Sequence, residues 1–127
     1  MIKRGFLFLI FLFFYMYSYS QERYRITRIK KNNNYYIIYS QNSIGKYKII
    51  SKKEDFMSET KIKSLRRYVF ELVPFRDVAL IINGVDYYSD NVECYSFGNN
   101  TVICREPKKK YFDLYYAKNL KGTYLVE

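Results

Sequence analysis

The sequence contains no histidine and only two cysteines, and its five glycines stand singly along 127 residues. Without histidine the chain lacks the usual general base, the usual zinc ligand and the partner that activates a serine or cysteine nucleophile. The two cysteines, ten positions apart, do not have the spacing of a zinc ribbon or a redox pair. No glycine-rich phosphate loop is present either. We therefore expect a protein that is not an enzyme and that uses no metal or cofactor.

The two cysteines instead indicate a disulfide that pins a hairpin. Between Cys94 and Cys104 the sequence reads as a strand, a turn at residues 98–100 and a second strand. Gly and Asn in the turn tolerate the positive φ that a three-residue hairpin loop requires. A bond between the cysteines also fixes an antiparallel register. In that register the facing pairs are Tyr95 with Ile103, Phe97 with Thr101, and Glu93 with Arg105.

The first 20 residues have the layout of a signal peptide. Two basic residues precede an apolar run over residues 6–16, and the small residues Ser18 and Ser20 favour cleavage after Ser20. An uncleaved membrane anchor is the alternative, but the run is shorter than the roughly 20 apolar residues of a spanning helix. We expect a secreted or periplasmic protein whose residues 21–127 form a single small β domain, with one disulfide supporting a modest core.

Segments rich in β-branched and aromatic residues dominate the rest of the chain. The expected strands cover residues 24–31, 35–39, 46–50, 68–75, 78–82, 85–88 and 123–126. The asparagines at 32–34 predict a turn, and Asn83-Gly84 predicts a hairpin that joins 78–82 to 85–88. Helical spacing competes with strand alternation from Ser58 onwards, so we expect one helical turn within 58–65 and another at 113–118.

This pattern predicts an all-β protein with minor helix. The expected architecture is a small antiparallel sandwich or barrel that carries the disulfide-pinned hairpin near its C-terminus. An oligonucleotide-binding-type barrel (OB-like) is one specific form of it. The expectation concerns topology alone, because folds of this kind support many unrelated functions.

Basic and aromatic residues alternate in two of the predicted strands, and this is the feature with functional potential. Single-stranded nucleic acid is commonly held by stacking on aromatic rings within a positive groove. The candidate polyanion-binding residues are Tyr24, Arg25, Arg28, Lys46, Tyr47 and Lys48. A net charge of +10, or +8 once Lys3 and Arg4 leave with the signal peptide, favours nucleic acid or acidic glycans as partners. We interpret Arg66-Arg67 and residues 108–110 as solvated turns.

Three functional hypotheses follow from these features. The leading one is an exported, non-catalytic binding or interaction module whose partner, a protein or a polyanion at the cell envelope, the sequence does not specify; nothing indicates a small-molecule substrate. The second is a basic, OB-like module that binds polyanions. The third is a histidine-free enzyme with two carboxylates, although the adjacent Glu54 and Asp55 are more typical of a solvated turn. Joint enrichment of Lys, Asn, Ile, Tyr and Phe is also what an AT-rich genome produces, so composition alone would account for the charge equally well.

Overall fold

The computed structural model describes residues 22–75, 86–89, 92–98 and 100–126. Within these ranges the secondary structure is strand, apart from one 3-10 turn at Pro107–Lys109, so the expected all-β fold is confirmed. Neither predicted helical turn forms: residues 58–65 are irregular, and 113–118 contain a strand. No helix of the described part is long and apolar enough to cross a membrane. The signal-peptide prediction, the strand predicted at 78–82 and its Asn83-Gly84 turn lie outside the described residues.

Eleven strands are described. They are β1 (Arg23–Asn32), β2 (Tyr35–Gln41), β3 (Lys46–Lys52), β4 (Arg67–Val69), β5 (Leu72–Pro74), β6 (Asp86–Ser89), β7 (Val92–Ser96), β8 (Val102–Cys104), β9 (Leu114–Ala117), β10 (Leu120–Lys121) and β11 (Tyr124–Leu125). The first three agree closely with the predicted strands because each is joined to the next by a short polar turn. Asn33 adopts a φ of 53° in the two-residue turn between β1 and β2, a conformation that asparagine tolerates better than most residues.

One six-stranded sheet forms the body of the protein, in the order β4, β1, β2, β3, β9, β5. Its neighbouring strands are antiparallel except β3 and β9, which run parallel. The two edge strands, β4 and β5, are separated in the chain by only Phe70 and Glu71. A flat sheet would hold its edges about 24 Å apart, whereas three residue steps reach only about 11 Å. The sheet must therefore curl like a half-barrel until its two edge strands lie close together. β4 and β5 then follow each other as one interrupted strand.

Asn119 explains why this closing strand is interrupted. Its Oδ1 accepts a hydrogen bond from the Glu71 N–H at 2.9 Å, and its Nδ2 donates to the Val69 carbonyl at 2.8 Å. The Lys118 N–H also donates to the Glu71 carbonyl, at 2.9 Å. The backbone at the break thus bonds to the turn between β9 and β10. The single strand predicted over 68–75 is two strands, and the second ends at Pro74.

The inner face of the curled sheet carries one of two hydrophobic cores. Its buried members are Ile26, Ile38, Ile49, Ile62, Phe70, Ala117 and Leu120. Alternate positions of β1 to β3 supply three of the isoleucines, because successive side chains of a strand point to opposite faces. Ile62 comes from the irregular segment 53–66, and its N–H donates to the Thr123 carbonyl at 2.8 Å. This segment and the β10–β11 hairpin together pack onto the inner core.

The outer face of the sheet carries the second core, under the disulfide hairpin. Its buried members are Ile37, Tyr39, Ile50, Tyr95, Ile103, Tyr111 and Leu114. Strands β6, β7 and β8 form a separate three-stranded sheet, so β7 and β8 bring their side chains onto β2 and β3 as a second layer. A hydrogen bond of 2.7 Å from Asn33 Nδ2 to Thr101 Oγ1 ties the turns of the two layers together.

The disulfide between Cys94 and Cys104 is present, and the register that it predicts is confirmed. Cys94 faces Cys104 and Tyr95 faces Ile103, while the Phe97 N–H donates to the Thr101 carbonyl at 2.9 Å. Ladder pairing ends at the cysteines, and the opposition of Glu93 and Arg105 stays a prediction. Strand β6, in the region predicted at 85–88, pairs with β7.

Candidate functional site

The six candidate binding residues are divided between the two faces of the curled sheet. Tyr24 and Tyr47 lie on the inner face, where their rings meet edge to face with centroids 5.0 Å apart. Tyr47 also contacts Tyr115, at 5.3 Å, and Tyr24 packs against the inner core. These two tyrosines therefore extend the inner core at its edge. Tyr47 nevertheless lines one groove together with the basic candidate Lys46, at the edge of the sheet.

The four basic candidates lie on the outer face. Lys46 and Lys48 flank Tyr47 in β3, so strand alternation sends them to the face opposite its ring. Arg25 and Arg28 are three residues apart and would normally point to opposite faces. A bulge at Thr27 inserts one extra residue, so that Arg25 faces Gln41 and Arg28 faces Tyr39. The Arg28 guanidinium consequently lies 4.7 Å from the centre of the Tyr39 ring.

Arg25 belongs to a cluster of three arginines on β1 and β4. Arg25 and Arg67 face each other directly across these strands, and Arg23 lies two positions before Arg25, on the same face. The three line an open groove of about 490 Å³. Glu22 is the one carboxylate in its lining, and none of the three arginines forms a salt bridge with a described residue. The groove therefore has a strong excess of positive charge.

The loop between β2 and β3 forms one wall of this arginine groove through Asn42 and Ser43. Asn42 Oδ1 accepts hydrogen bonds from the N–H groups of Ile44 and Gly45, both at 2.9 Å, and so fixes the loop. Its Nδ2 is buried and has no acceptor among the described residues.

Lys48 is not part of any accessible surface. Its side chain is buried, its Nζ donates to the Cys104 carbonyl at 2.7 Å, and it pairs with Glu106 Oε2 at 2.9 Å. Burial lowers the pKa of Lys48, and the hydrogen bond and attraction to Glu106 offset part of that effect. Partial burial by itself raises the pKa of Glu106, but hydrogen bonds from Lys48 and Tyr39 outweigh it, so the pKa lies below its usual value.

Tyr39 joins Lys48 and Glu106 in a buried cluster beneath the disulfide hairpin. Burial, a hydrogen bond to Glu106 and the charge of Glu106 raise the pKa of Tyr39 to about 12, although Arg28 opposes the shift. Its ring packs edge to face against Tyr111, with centroids 5.1 Å apart. Lys46 in turn lies 5.6 Å from the centre of the Tyr111 ring. The cluster joins the sheet to the hairpin layer, and Arg28, Lys46 and Lys109 lie at its rim, the last paired with Glu106 Oε1 at 3.8 Å.

A second groove, of about 310 Å³, lies on the other side of the β2–β3 loop. Ile44 and Phe112 line it and are 76% and 58% exposed. Lys46 and Lys110 lie beside them, together with one carboxylate, that of Asp113. The parallel pairing of Lys48 with Leu114 explains this grouping, since it places the residues before Leu114 next to those before Lys48.

Sequence reasoning missed two members of the arginine groove. Arg23 could have been found, because it precedes Arg25 by two positions in a predicted strand and must share its face. Arg67, which was interpreted as part of a solvated turn, instead begins β4. Its position depends on the pairing of β4 with β1, in which Arg67 faces Arg25, 42 positions earlier in the chain. No local sequence pattern predicts such a distant pairing. Lys108, Lys109 and Lys110 are exposed, as expected of a solvated turn.

The acidic residues that the structure describes show no arrangement of the kind that holds a metal. Among the described residues no group of three or more Asp, Glu or Cys side chains converges. Glu54 and Asp55 are both exposed in the irregular segment that follows β3. Comparison with protein-family models, with curated proteins and with solved structures finds no match. The geometry of the chain's own side chains therefore carries the functional argument.

Proposed function

We propose that the protein is an exported, non-catalytic binding module whose arginine groove takes an anionic polymer. The observation that carries this proposal is the direct opposition of Arg25 and Arg67 across β1 and β4, with Arg23 beside them. Like charges directly opposite each other in a sheet are destabilising. A ligand that brings negative charge into the groove relieves this repulsion, so the arrangement favours binding of anions over a purely structural role.

Arginine is well suited to such a ligand. Its guanidinium group presents donors in a planar fork that matches phosphate and carboxylate groups, and it stays charged at all relevant pH values. Glu22 alone supplies negative charge to the lining, whereas a hydrolase of the two-carboxylate type needs a pair of carboxyl groups roughly 5 to 10 Å apart. The groove's composition thus favours binding over acid–base catalysis.

Two features of the whole chain agree with the proposal. A disulfide suggests an oxidising environment, outside the cell or in the periplasm, and we propose that residues 1–20 direct export there. If the interrupted segment from β4 to β5 is counted as one strand, the curled sheet has five strands. Five-stranded, partly open barrels of the oligonucleotide-binding type commonly bind oligonucleotides and oligosaccharides.

Reversing the charge of the groove tests the proposal. The variant Arg25→Glu/Arg67→Glu should bind heparin and single-stranded DNA roughly 10 to 100 times more weakly at low salt, with a shallower dependence on salt concentration. The matched control is Lys52→Glu/Lys53→Glu. It changes the net charge by the same amount at the C-terminal end of β3, away from the arginine groove. Binding is measured by fluorescence anisotropy over a salt series.

The control decides between a specific groove and a general excess of charge. Near wild-type affinity in the Lys52/Lys53 variant, together with loss in the Arg25/Arg67 variant, supports the groove. Equal losses in both variants would mean that composition alone produces the binding. No measurable affinity in the wild-type protein would reject the anionic-polymer proposal outright.

A further inference from the structure

Two large apolar side chains flanked by lysines are exposed where the β2–β3 loop lies beside the segment that leads into β9. Ile44 and Phe112 line one groove together with Lys46 and Lys110, and we call these four residues the loop tip. Lys46 lies over the Tyr111 ring, with its Nζ 5.6 Å from the ring centre. At the loop tip the apolar groups themselves are exposed, at 76% for Ile44 and 58% for Phe112.

Hydrogen bonds hold the backbone that carries these exposed side chains. Asn42 holds the backbone of Ile44 and Gly45 through two hydrogen bonds of 2.9 Å. The Phe112 carbonyl accepts a hydrogen bond of 3.0 Å from Arg105 Nη1, and Lys110 adopts a left-handed φ of 70° at the end of the 3-10 turn. The apolar side chains therefore project from backbone that is held by hydrogen bonds on both segments.

The loop tip adjoins the arginine groove. Asn42 and Ser43 line the groove on one side of the loop, and Ile44 and Gly45 line the tip on the other. One end of the sheet therefore combines exposed apolar side chains with the cations of both surfaces, which outnumber the carboxylates of Glu22 and Asp113 there. This pairing of apolar groups and positive charge is complementary to the interface of an anionic membrane, where apolar groups enter the acyl boundary and lysines remain at the headgroups.

We infer that the loop tip inserts into the surface of an anionic phospholipid membrane while the adjoining arginine groove binds lipid headgroups. This inference rests on the proposed function, because it keeps the arginine groove as the site that binds anionic groups, and it assigns those groups to a phospholipid surface in place of a polymer chain. A linear polyanion such as a glycan or nucleic acid would use the arginines and leave Ile44 without a role. An isoleucine has no flat face on which a base or sugar ring can stack.

A single tryptophan tests insertion directly, because the sequence contains none. In Phe112→Trp, mixing with vesicles of phosphatidylcholine and phosphatidylglycerol should shift the emission to shorter wavelength, and brominated acyl chains should quench it. Pure phosphatidylcholine vesicles should produce neither effect. Met57→Trp is the matched control, since Met57 is 79% exposed in the segment 53–66, and its emission should not change.

Removal of the apolar groups separates membrane binding from polyanion binding. Ile44→Ser/Phe112→Ser should co-sediment with the anionic vesicles roughly tenfold less than wild type, and its heparin affinity should be unchanged. The matched control Met57→Ser/Leu65→Ser, which also removes two exposed apolar side chains, should co-sediment like wild type.

The outcomes distinguish this inference from the function on which it rests. Heparin binding that depends on Arg25 and Arg67, without vesicle binding, would overturn the membrane inference and leave the proposed function standing. Vesicle binding by Phe112→Trp with unchanged tryptophan emission would also overturn it, because the loop tip would then not insert. Vesicle binding and insertion that survive Arg25→Glu/Arg67→Glu would support the loop tip and reject the role of the arginine groove.

Discussion

Lys48 belongs to a sequence pattern typical of binding, yet its side chain serves the fold. Its neighbours in β3, Lys46 and Tyr47, alternate with it in sequence, and all three were expected to contribute to one surface. In the structure Lys48 is 4% exposed and holds the disulfide hairpin through the Cys104 carbonyl and Glu106. A buried ammonium group is tolerated only with such partners, because desolvation of an unpaired charge is very costly.

Removal of the Glu106 carboxylate alone should therefore lower the stability of the fold more than removal of both Lys48 and Glu106. We expect Glu106→Gln to lower the free energy of unfolding by roughly 1 to 3 kcal/mol, because it leaves Lys48 buried without a counter-charge. Lys48→Met/Glu106→Gln should recover much of that loss. Chemical denaturation of the four proteins of this double-mutant cycle measures the coupling. A double variant as unstable as the sum of the single variants would contradict the pairing.

The same variant has a defined pH dependence. Because the pKa of Glu106 lies below its ordinary value of 4.5 in the folded protein, its contribution to stability is present above that value. The contribution is lost as the pH falls through the lower, folded-state pKa. The stability difference between wild type and Glu106→Gln should thus be constant near neutral pH and shrink in acid. A difference that grows in acid would contradict this assignment.

At the scale of elements, the disulfide hairpin is the part whose stability depends most on a covalent bond. Strands β7 and β8 contribute Tyr95 and Ile103 to the outer core, each only 2% exposed, but they pair over just three residues. Such a short hairpin is marginal without a further constraint. The bond between Cys94 and Cys104 supplies that constraint and keeps the outer core covered.

Replacing both cysteines with serine should lower the melting temperature by roughly 10 to 25 °C. Closure of a loop of about 11 residues contributes roughly 2.5 to 3 kcal/mol in the chain-entropy model, and a domain of this size loses about 4 to 8 °C per kcal/mol. Differential scanning calorimetry measures the change. Wild-type protein with its disulfide reduced is the control, and it should melt at the same temperature as the double serine variant. Heparin affinity of the folded variant should be unchanged, because the arginine groove lies on β1 and β4. Loss of affinity without loss of stability would show that the cysteines serve binding.

At the scale of the whole molecule, sequence reasoning found what is local and missed what is distant. The asparagine turn after β1, the hairpins of β1 to β3 and the cysteine register each depend on residues close together in the chain, and all are confirmed. The parallel pairing of Lys48 with Leu114 and the opposition of Arg25 and Arg67 join segments far apart. Composition of single segments does not encode such pairings.

The candidate site illustrates the same limit. Side chains of a strand point alternately to its two faces, so the separation of Tyr47 from Lys46 and Lys48 could be predicted from the sequence. The bulge at Thr27 could not be predicted, because nothing in the sequence around it distinguishes a bulged residue from an ordinary one. Without the bulge, Arg28 would point to the inner face. A single inserted residue therefore determines which arginines share a surface.

Two hydrophobic cores lie on opposite faces of one sheet, and adjacent residues serve both. Ile37 belongs to the outer core and Ile38 to the inner core, as Ile50 and Ile49 do on β3. Since the same two strands carry both cores, loss of either core removes the support of the other. The protein should therefore unfold as one cooperative unit, although its hairpin layer forms a separate sheet.

Matched substitutions on the two faces test this cooperativity. Ile37→Ala and Ile38→Ala should each lower the free energy of unfolding by about 2 to 5 kcal/mol, because each leaves a cavity in a packed core. In both variants far-ultraviolet circular dichroism and the near-ultraviolet signal of the tyrosines should report one transition at the same temperature. Ile44→Ala, at the exposed loop tip, should change stability by no more than about 0.5 kcal/mol. If Ile37→Ala produced two transitions, with only the first displaced from that of the wild type, the hairpin layer would be an independent unit and the two cores would not be coupled.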